Sequence, residues 1–231
     1  MPSNFDLDFD VLKVVGERGI QHVYHFTTTL NLINIFRAGC LLNRQALEAL
    51  SIEPGNSINN DTLGMMDENR LDGCKGHVNV SIEHPNIYLL DRYKRDYQDA
   101  YNDWCVIDLS PDVLAKKGAL FSVSNAASTM SQTYGIDMGV NSLNALFQDE
   151  VRSSRYVFSR LGLKASDPTD VQAEALIPGE IGVELIQRVV FSSNESKAIS
   201  VAMFKGVEAE LASFVSCFEV DLSLFGKRVR S

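Results

Sequence analysis

The stretch His22–Leu42, HVYHFTTTLNLINIFRAGCLL, leaves a chain few ways to fold. Val23 to Phe26 have the apolar and aromatic character of a buried strand, yet a titratable ring, His25, stands inside it. Three threonines follow at once. The hydroxyl of Thr27, Thr28 or Thr29 can accept a bond from an orphan N–H at the start of a helix running from about Leu30 to Arg37. Gly39 then stops that helix, because glycine takes the left-handed conformation at no steric cost. The fold must therefore pack a helix directly onto the end of its opening strand, with a histidine at the bend.

The rest of the chain supplies further strands at uneven spacing. HVNVSIEHPN alternates, with Val78, Val80 and Ile82 on one side and Asn79, Ser81 and Glu83 on the other, which predicts a half-buried strand ended by Pro85-Asn86. Trp104–Leu109 predicts another strand, Val113–Lys117 a helical turn, and Gly118–Ser122 a short returning strand. From Asn141 to Leu161 the spacing of Leu143, Leu146, Phe147 and Val151 is helical. Val171–Ile177 predicts a strand carrying one acid, and Arg188–Phe191 and Val215–Val220 flank a helix near Ala198–Leu211. Strands and helices do not alternate regularly, so the expected class is α+β, and no G-x-G-x-x-G follows a strand to suggest a Rossmann site. With no repeat and no low-complexity linker, residues 1–231 are expected to form a single domain.

Charge narrows the partners. Lys and Arg number 21 against 30 Asp and Glu, a formal net charge of −9, which argues against a general DNA coat protein but leaves room for a local basic patch. Cys40, Cys74, Cys105 and Cys217 are scattered with no C-x-x-C pair, so reduced and mostly buried thiols are expected rather than a disulfide framework or a zinc site. His22, His25, His77 and His84 share no ligand spacing, so no metal is expected. No apolar run approaches the roughly 20 residues of a membrane span, and the acidic start MPSNFDLDFD lacks the features of a signal peptide. A cytoplasmic protein is expected.

Three features could carry chemistry, and each has a plainer reading. Glu174 lies in VQAEALI among apolar neighbours, where a carboxylate is costly unless something uses it. Alternation alone makes it a solvated side chain on an edge strand. The other reading is a glutamate at a cleft, turned towards a substrate hydroxyl or a developing cation. His25 is either a satisfied structural histidine or part of the same cleft. Arg152, Arg155, Arg160 and Lys164 interleave with Tyr156 and Phe158, a recipe for holding phosphates and stacking bases of an unpaired strand. They also fit a solvated helix face whose rings pack inward.

Taken in order, these segments resemble the DarT-type ADP-ribosyltransferases. VYHFTTTLNLINIFRAGCLL is similar to the opening segment of that family: aromatic-His-x-Thr, Asn-Leu, a helix and Gly-x-Leu-Leu. FSVSNAAS, Phe121 to Ser128, is similar to its Phe-Thr-Asp-x-Asn-Ala segment, and VQAEALIP, Val171 to Pro178, to its catalytic strand. The resemblance covers nearly the whole chain. It implies a split-sheet fold with NAD, the co-substrate, held in a cleft between two small sheets. It also implies roles: His25 on the ribose, Thr27 towards the nicotinamide side, Asn31 and Gly39 shaping the wall, and Glu174 on the nicotinamide-ribose 2′-hydroxyl. Arg70, in MMDENRLDG, falls where the family has an arginine that contacts NAD and assists the acceptor base.

One segment departs. Thymidine-modifying members carry Tyr-Val-Pro-Phe-Tyr-Phe in the second strand, where this chain has His77-Val-Asn-Val-Ser-Ile-Glu-His-Pro. The resemblance thus implies a divergent branch that modifies a base of single-stranded DNA, as a bacterial toxin or anti-phage effector opposed by an antitoxin protein. Transfer to RNA, then to protein, are the enzymatic alternatives, and an inactive NAD- or nucleic-acid-binding domain is the other. Arg152, Arg155, Tyr156 and Arg160 are the residues expected to touch the nucleic-acid strand.

Overall fold

The computed structural model describes residues 6–51, 73–96, 103–207 and 210–228. In chain order the helices are α1 Phe9–Arg18, α2 Thr29–Ala38, α3 Arg44–Ser51, α4 Ile87–Asp96, α5 Thr129–Tyr134, α6 Gly139–Ala145 and α7 Asn194–Val207. The strands are β1 Val23–Thr28, β2 Cys40–Leu41, β3 His77–Ile82, β4 Trp104–Leu109, β5 Leu120–Ser122, β6 Asp137–Met138, β7 Glu150–Arg152, β8 Val157–Ser159, β9 Glu174–Pro178, β10 Ile181–Gly182, β11 Ile186–Phe191 and β12 Phe218–Val220.

Eight strands join in the order β12-β11-β4-β1-β3-β9-β5-β6, but the sheet is nearly cut in two. β1 pairs with β4 over six positions, Val23↔Leu109 to Thr28↔Trp104. It pairs with β3 at only two, Val23↔Ile82 and Tyr24↔Ser81. After Tyr24 the strands part. One half-sheet, β12-β11-β4-β1, diverges from the other, β3-β9-β5-β6, and a cleft opens between them. The expected α+β split-sheet architecture is therefore present, with the two halves still joined at their vertex.

The vertex is reinforced. Glu83 takes a left-handed backbone, φ 61°, which costs a non-glycine residue of this kind roughly 1 kcal/mol or more. Its carboxylate accepts from the backbone N–H groups of Gln21 and His22 at 2.6 and 3.1 Å, and its own N–H donates to the His22 carbonyl at 2.9 Å. These bonds offset the strain and hold the turn after β3 against the entry to β1.

α2 follows β1 with no connecting loop. Thr28 ends the strand and caps the helix, its hydroxyl accepting from the Asn31 N–H at 3.2 Å, and Gly39 closes it at φ 71°. The helix buries Leu32, Ile33, Ile35 and Phe36 against one face of the sheet, where Val23, Val80, Ile107, Val189 and Phe191 also lie. β4 is buried at all six positions, as a central strand covered on both faces must be.

Several expectations need correction. α1 was not anticipated, although Asp8 caps it and Gly19 ends it in the left-handed region. The helix expected over Asn141–Leu161 stops at Ala145, and the arginine-rich stretch after it is a hairpin, β7 paired with β8. The catalytic-strand candidate starts at Glu174, three residues later than expected, because Asp170–Ala173 form a turn with the Ala173 N–H on the Asp170 carbonyl. Of the four cysteines, Cys105 alone is fully buried, so the thiols are not mostly buried, contrary to expectation.

Candidate active site

The registers set one polar row across the sheet. Arg188↔Asp108, Asp108↔Tyr24, Tyr24↔Ser81, Ser81↔Glu174 and Glu174↔Ser122 are successive cross-strand partners, so all six side chains leave the same face. Glu174 is not on an edge. β9 lies between β3 and β5, and the residue is 3 % exposed. The face that alternation would give to solvent is instead the floor of the cleft.

A buried carboxylate must be met by donors, and among the described residues Glu174 has two on each oxygen. Oε1 accepts from Asn125 Nδ2 at 2.7 Å and, more weakly, from Asn86 Nδ2 at 3.5 Å. Oε2 accepts from the Ala126 backbone N–H at 3.0 Å and from Asn79 Nδ2 at 3.3 Å. Asn79 comes from β3, Asn86 from the start of α4, and Asn125-Ala126 from the turn after β5. Asn86 is itself fixed: its N–H donates to Ser81 Oγ, and its oxygen caps α4 at the Leu89 N–H. The turn after β5 is anchored by Ser124, whose hydroxyl donates to the fully buried Asp170 at 2.6 Å. Burial pushes the Asp170 carboxyl up, against the opposing pull of that bond.

His25 stands where β1 leaves β3. Its Nδ1 lies 3.0 Å from the Asn79 carbonyl, which can only accept, so Nδ1 carries a proton. One ring nitrogen thus bridges the gap, and the ring lines the cleft. His25, Asn79, Asn86 and Glu174 line one continuous cavity. Phe26, Leu89 and Tyr93 form an apolar wall, with Phe26 and Tyr93 edge to face at 6.0 Å. Leu41, Leu42, Asn43 and Arg44 form the opposite end. The Arg44 side chain is 17 % exposed and pairs with Glu48 at 3.0 Å, which places a cation at this end of the cleft.

The other expected site residues are distributed unevenly. Asn31 lines the cleft, and its amide donates to Thr27 Oγ1 at 2.9 Å. Thr27 is completely buried, so it holds Asn31 in place and does not itself face the cavity. Gly39 acts through its backbone, ending α2 so that Leu41 and Leu42 can reach the cleft. Arg70 lies outside the described residues. The hairpin residues do not line the cavity. Arg152 pairs with Glu150 on its own strand, and Arg160 donates to the carbonyls of Lys164, Ala165 and Asp167, clamping the turn that leads towards β9. Arg155 and Tyr156 are exposed at the hairpin, Tyr156 to 65 %. Arg160 is therefore a structural clamp. Asn79, Asn86, Asn125, Arg44 and Tyr93 were missed in the sequence; the Ser-Asn-Ala of FSVSNAAS was the one signal that touched them.

Among the described residues no group of His, Cys, Asp or Glu is arranged to hold a metal ion, and no helix is long and apolar enough to cross a membrane. An anionic carboxylate with a fixed donor set, facing an apolar wall and a histidine across a cleft, can stabilise a cation formed on a bound sugar.

Comparison with known proteins agrees with that chemistry. The sequence matches the family model described as DarT, ssDNA thymidine ADP-ribosyltransferase, over residues 24–215. No curated protein matches it. Its fold is similar to that of Thermus sp. 2.9 DarT in complex with NAD+, at TM-score 0.53 and 15 % identity, covering 89 % of this chain and 98 % of that one. It is similar also to the same protein in complex with ADP-ribosylated ssDNA, at TM-score 0.54 and 12 % identity over 90 % and 97 % of the two chains. Thermosipho africanus DarTG in complex with ADP-ribose matches at TM-score 0.53 and 15 % identity, over 89 % of this chain and 51 % of that one. With the family model spanning most of its length, the chain belongs to the DarT family and is an NAD-dependent ADP-ribosyltransferase acting on single-stranded DNA.

Proposed function

We propose that the cleft between the half-sheets holds NAD with its nicotinamide ribose against Glu174, and that ADP-ribose passes from there to a base of an unpaired DNA strand. The observation that carries the reading is the buried Glu174, gripped by four donors among the described residues and lining the cavity that His25 also lines. In this scheme the ribose 2′-hydroxyl donates to Glu174, and a ribose hydroxyl bonds the imidazole of His25. Phe26 and Tyr93 pack on the apolar parts of the ligand, and Arg44 serves the diphosphate. The bond between the ribose C1′ and the nicotinamide nitrogen breaks, and nicotinamide leaves with the bonding pair. Glu174 stabilises the cationic sugar until a base nitrogen forms the new bond and loses its proton. Arg70 is assigned by the family resemblance to contact NAD and assist that last step.

The family description names thymidine, but here β3 sets the Asn79 amide, and the entry to α4 the Asn86 amide, beside Glu174. Incubation with labelled NAD and separate pools of single-stranded DNA, duplex DNA, RNA and protein tests the acceptor class, and homopolymeric oligonucleotides test the base. Label confined to RNA or protein would overturn the reading. Since DNA modification of this kind blocks templates, the enzyme fits a cytoplasmic toxin or anti-phage effector held in check by an antitoxin protein. Expression in a bacterial host, tested for growth arrest and for its rescue by an enzyme that removes ADP-ribose from DNA, addresses that role.

His25→Ala is expected to weaken NAD binding by about one hydrogen bond, roughly 1 kcal/mol or five- to ten-fold in Kd. Unchanged affinity in the folded variant, measured by calorimetry, would move the ribose elsewhere. For the DNA strand, the hairpin offers Arg155 and Tyr156. Arg155→Gln should lower the slope of log K against log salt by about one, since one phosphate contact is lost. Tyr156→Ala should cost about 1–3 kcal/mol at every salt concentration if the ring stacks on a base. Equal slopes and affinities for wild type and both variants would remove the hairpin from the acceptor path. Arg160 is no fair probe here, because its loss frees the 164–167 turn.

A further inference from the structure

The four donors on Glu174 among the described residues fall into two classes. Each oxygen has one short bond from the turn after β5, Asn125 at 2.7 Å or the Ala126 N–H at 3.0 Å. Each also has one long bond from an amide of the cleft wall, Asn86 at 3.5 Å or Asn79 at 3.3 Å. Asn79 and Asn86 line the cavity; Asn125 and Ala126 do not. The short donors thus reach the carboxylate from behind, and the long ones share its open side with any bound ligand.

From this we infer that Asn125 is a positioning residue for the transfer reaction, while Asn79 and Asn86 are exchangeable donors that a bound ribose displaces. The inference rests on the reading of Glu174 given above. A ribose 2′-hydroxyl can reach the carboxylate only where a lone pair is weakly held, and bonds of 3.3 and 3.5 Å are the weakest. The rear pair must then keep the carboxylate ionised and aimed after the front donors let go. A charge-assisted bond at 2.7 Å in a buried site is the strong kind. The geometry behind it is built for stiffness. Asn125 Oδ1 accepts from the Ala127 N–H at 3.1 Å, which fixes the amide so that its nitrogen faces Glu174. Its carbonyl accepts from Ser131 Oγ at 2.6 Å. On the other side Ser124 ties the same turn to Asp170, four residues before Glu174 in the chain. The segment that holds Glu174 is therefore anchored to the segment that leads into it.

The test compares NAD affinity, steady-state transfer to a single-stranded oligonucleotide, and thermal melts for Asn125→Ala, Asn125→Asp, Asn86→Ser and Glu174→Gln. Asn125→Ala should lower kcat by about 10- to 100-fold, the worth of one hydrogen bond to a charged group, with KM for NAD and the melting temperature close to wild type. Asn125→Asp keeps the bond to the Ala127 N–H and replaces the donor with a second carboxylate, so it should lose at least as much. Asn86→Ser keeps an oxygen cap for α4 and deletes the amide, so its principal effect should fall on KM. A kcat loss in both Asn125 variants with KM preserved supports the inference. Wild-type kcat in a folded Asn125 variant overturns it, as does a loss that merely follows the melting temperature. Should Glu174→Gln be inactive while Asn125→Ala is fully active, the positioning role alone fails. Should Glu174→Gln be fully active, the proposed site itself fails.

Discussion

Glu174→Gln should abolish most transfer while leaving NAD bound, with a loss on the order of 10²-fold or more in rate and a change of no more than a few-fold in Kd. The side chains have the same shape, so the cleft keeps its volume. Two things change. The charge that stabilises the sugar cation disappears, and the new amide group must face a donor it cannot satisfy. If its nitrogen lies towards Asn125, two amide donors meet at the position now 2.7 Å apart; turned over, it meets the Ala126 N–H. In the proposed reading NAD is held along the whole cleft, by His25, the aromatic wall and Arg44, all of which line it, and these contacts do not depend on the charge of Glu174. The electrostatic term belongs to the transition state and hardly to the ground state, which is why kcat should fall and Kd should not. Rates with labelled NAD and a single-stranded oligonucleotide, beside calorimetric titration with NAD, decide it. Transfer within ten-fold of wild type by the folded variant would mean that another group stabilises the cation.

The parts of this fold that local chemistry dictates were readable in advance, and the parts that pairing dictates were not. Thr28 and Gly39 bound α2 as a cap and a left-handed stop must, because both act on their own helix. WCVIDL is a strand at the expected residues, its apolar run sufficient for a strand covered on both faces. By contrast, Leu143, Leu146, Phe147 and Val151 are all buried, as their spacing suggested, yet they come from a short helix, its C-terminal turn and a strand. Helical periodicity detects burial at those intervals and says nothing of where the helix ends. The site shows the same division. His25 and Glu174 drew notice as charged or titratable groups among apolar neighbours. Asn79 and Ser81 did not, since alternation gave their side of β3 to solvent. That side faces the cleft only because β3 lies between β1 and β9, a fact of register that no local pattern encodes. Asn86 and Asn125, in turns, carry no periodic signal at all.

The same row of side chains sets the largest expected effect on stability. Asp108→Ala should destabilise the protein by about 3 kcal/mol, the low end for deleting one partner of a buried ion pair. Asp108 is fully buried in β4, and its Oδ2 accepts from Arg188 Nε at 2.8 Å and from His22 Nδ1 at 2.9 Å. Burial pushes its carboxyl up, and the neighbouring Arg188 and His22 pull the other way. Without the carboxylate, Arg188 keeps a bond to Glu219 at 3.1 Å and about a quarter of its side chain in solvent, so the stranded charge is partly met and the upper end of the range is not reached. For a chain of 231 residues a loss of that size corresponds to roughly 6–12 °C in melting temperature. His22→Ala removes a partner whose side chain is 35 % exposed and should cost under about 1 kcal/mol. The contrast matters because Asp108 pairs with Tyr24, and Tyr24 pairs with Ser81 at the point where the half-sheets still touch. Polar groups there stiffen β1 just before it leaves β3 and carries His25 into the cleft. Thermal melts of Asp108→Ala, His22→Ala and the Asp108→Ala/Arg188→Ala pair separate the contributions. The double variant should recover part of the single loss, because it removes the stranded guanidinium as well. A melting temperature for Asp108→Ala within 2 °C of wild type would show that this buried carboxylate contributes nothing net, and that the vertex is held by backbone pairing and the Glu83 turn alone.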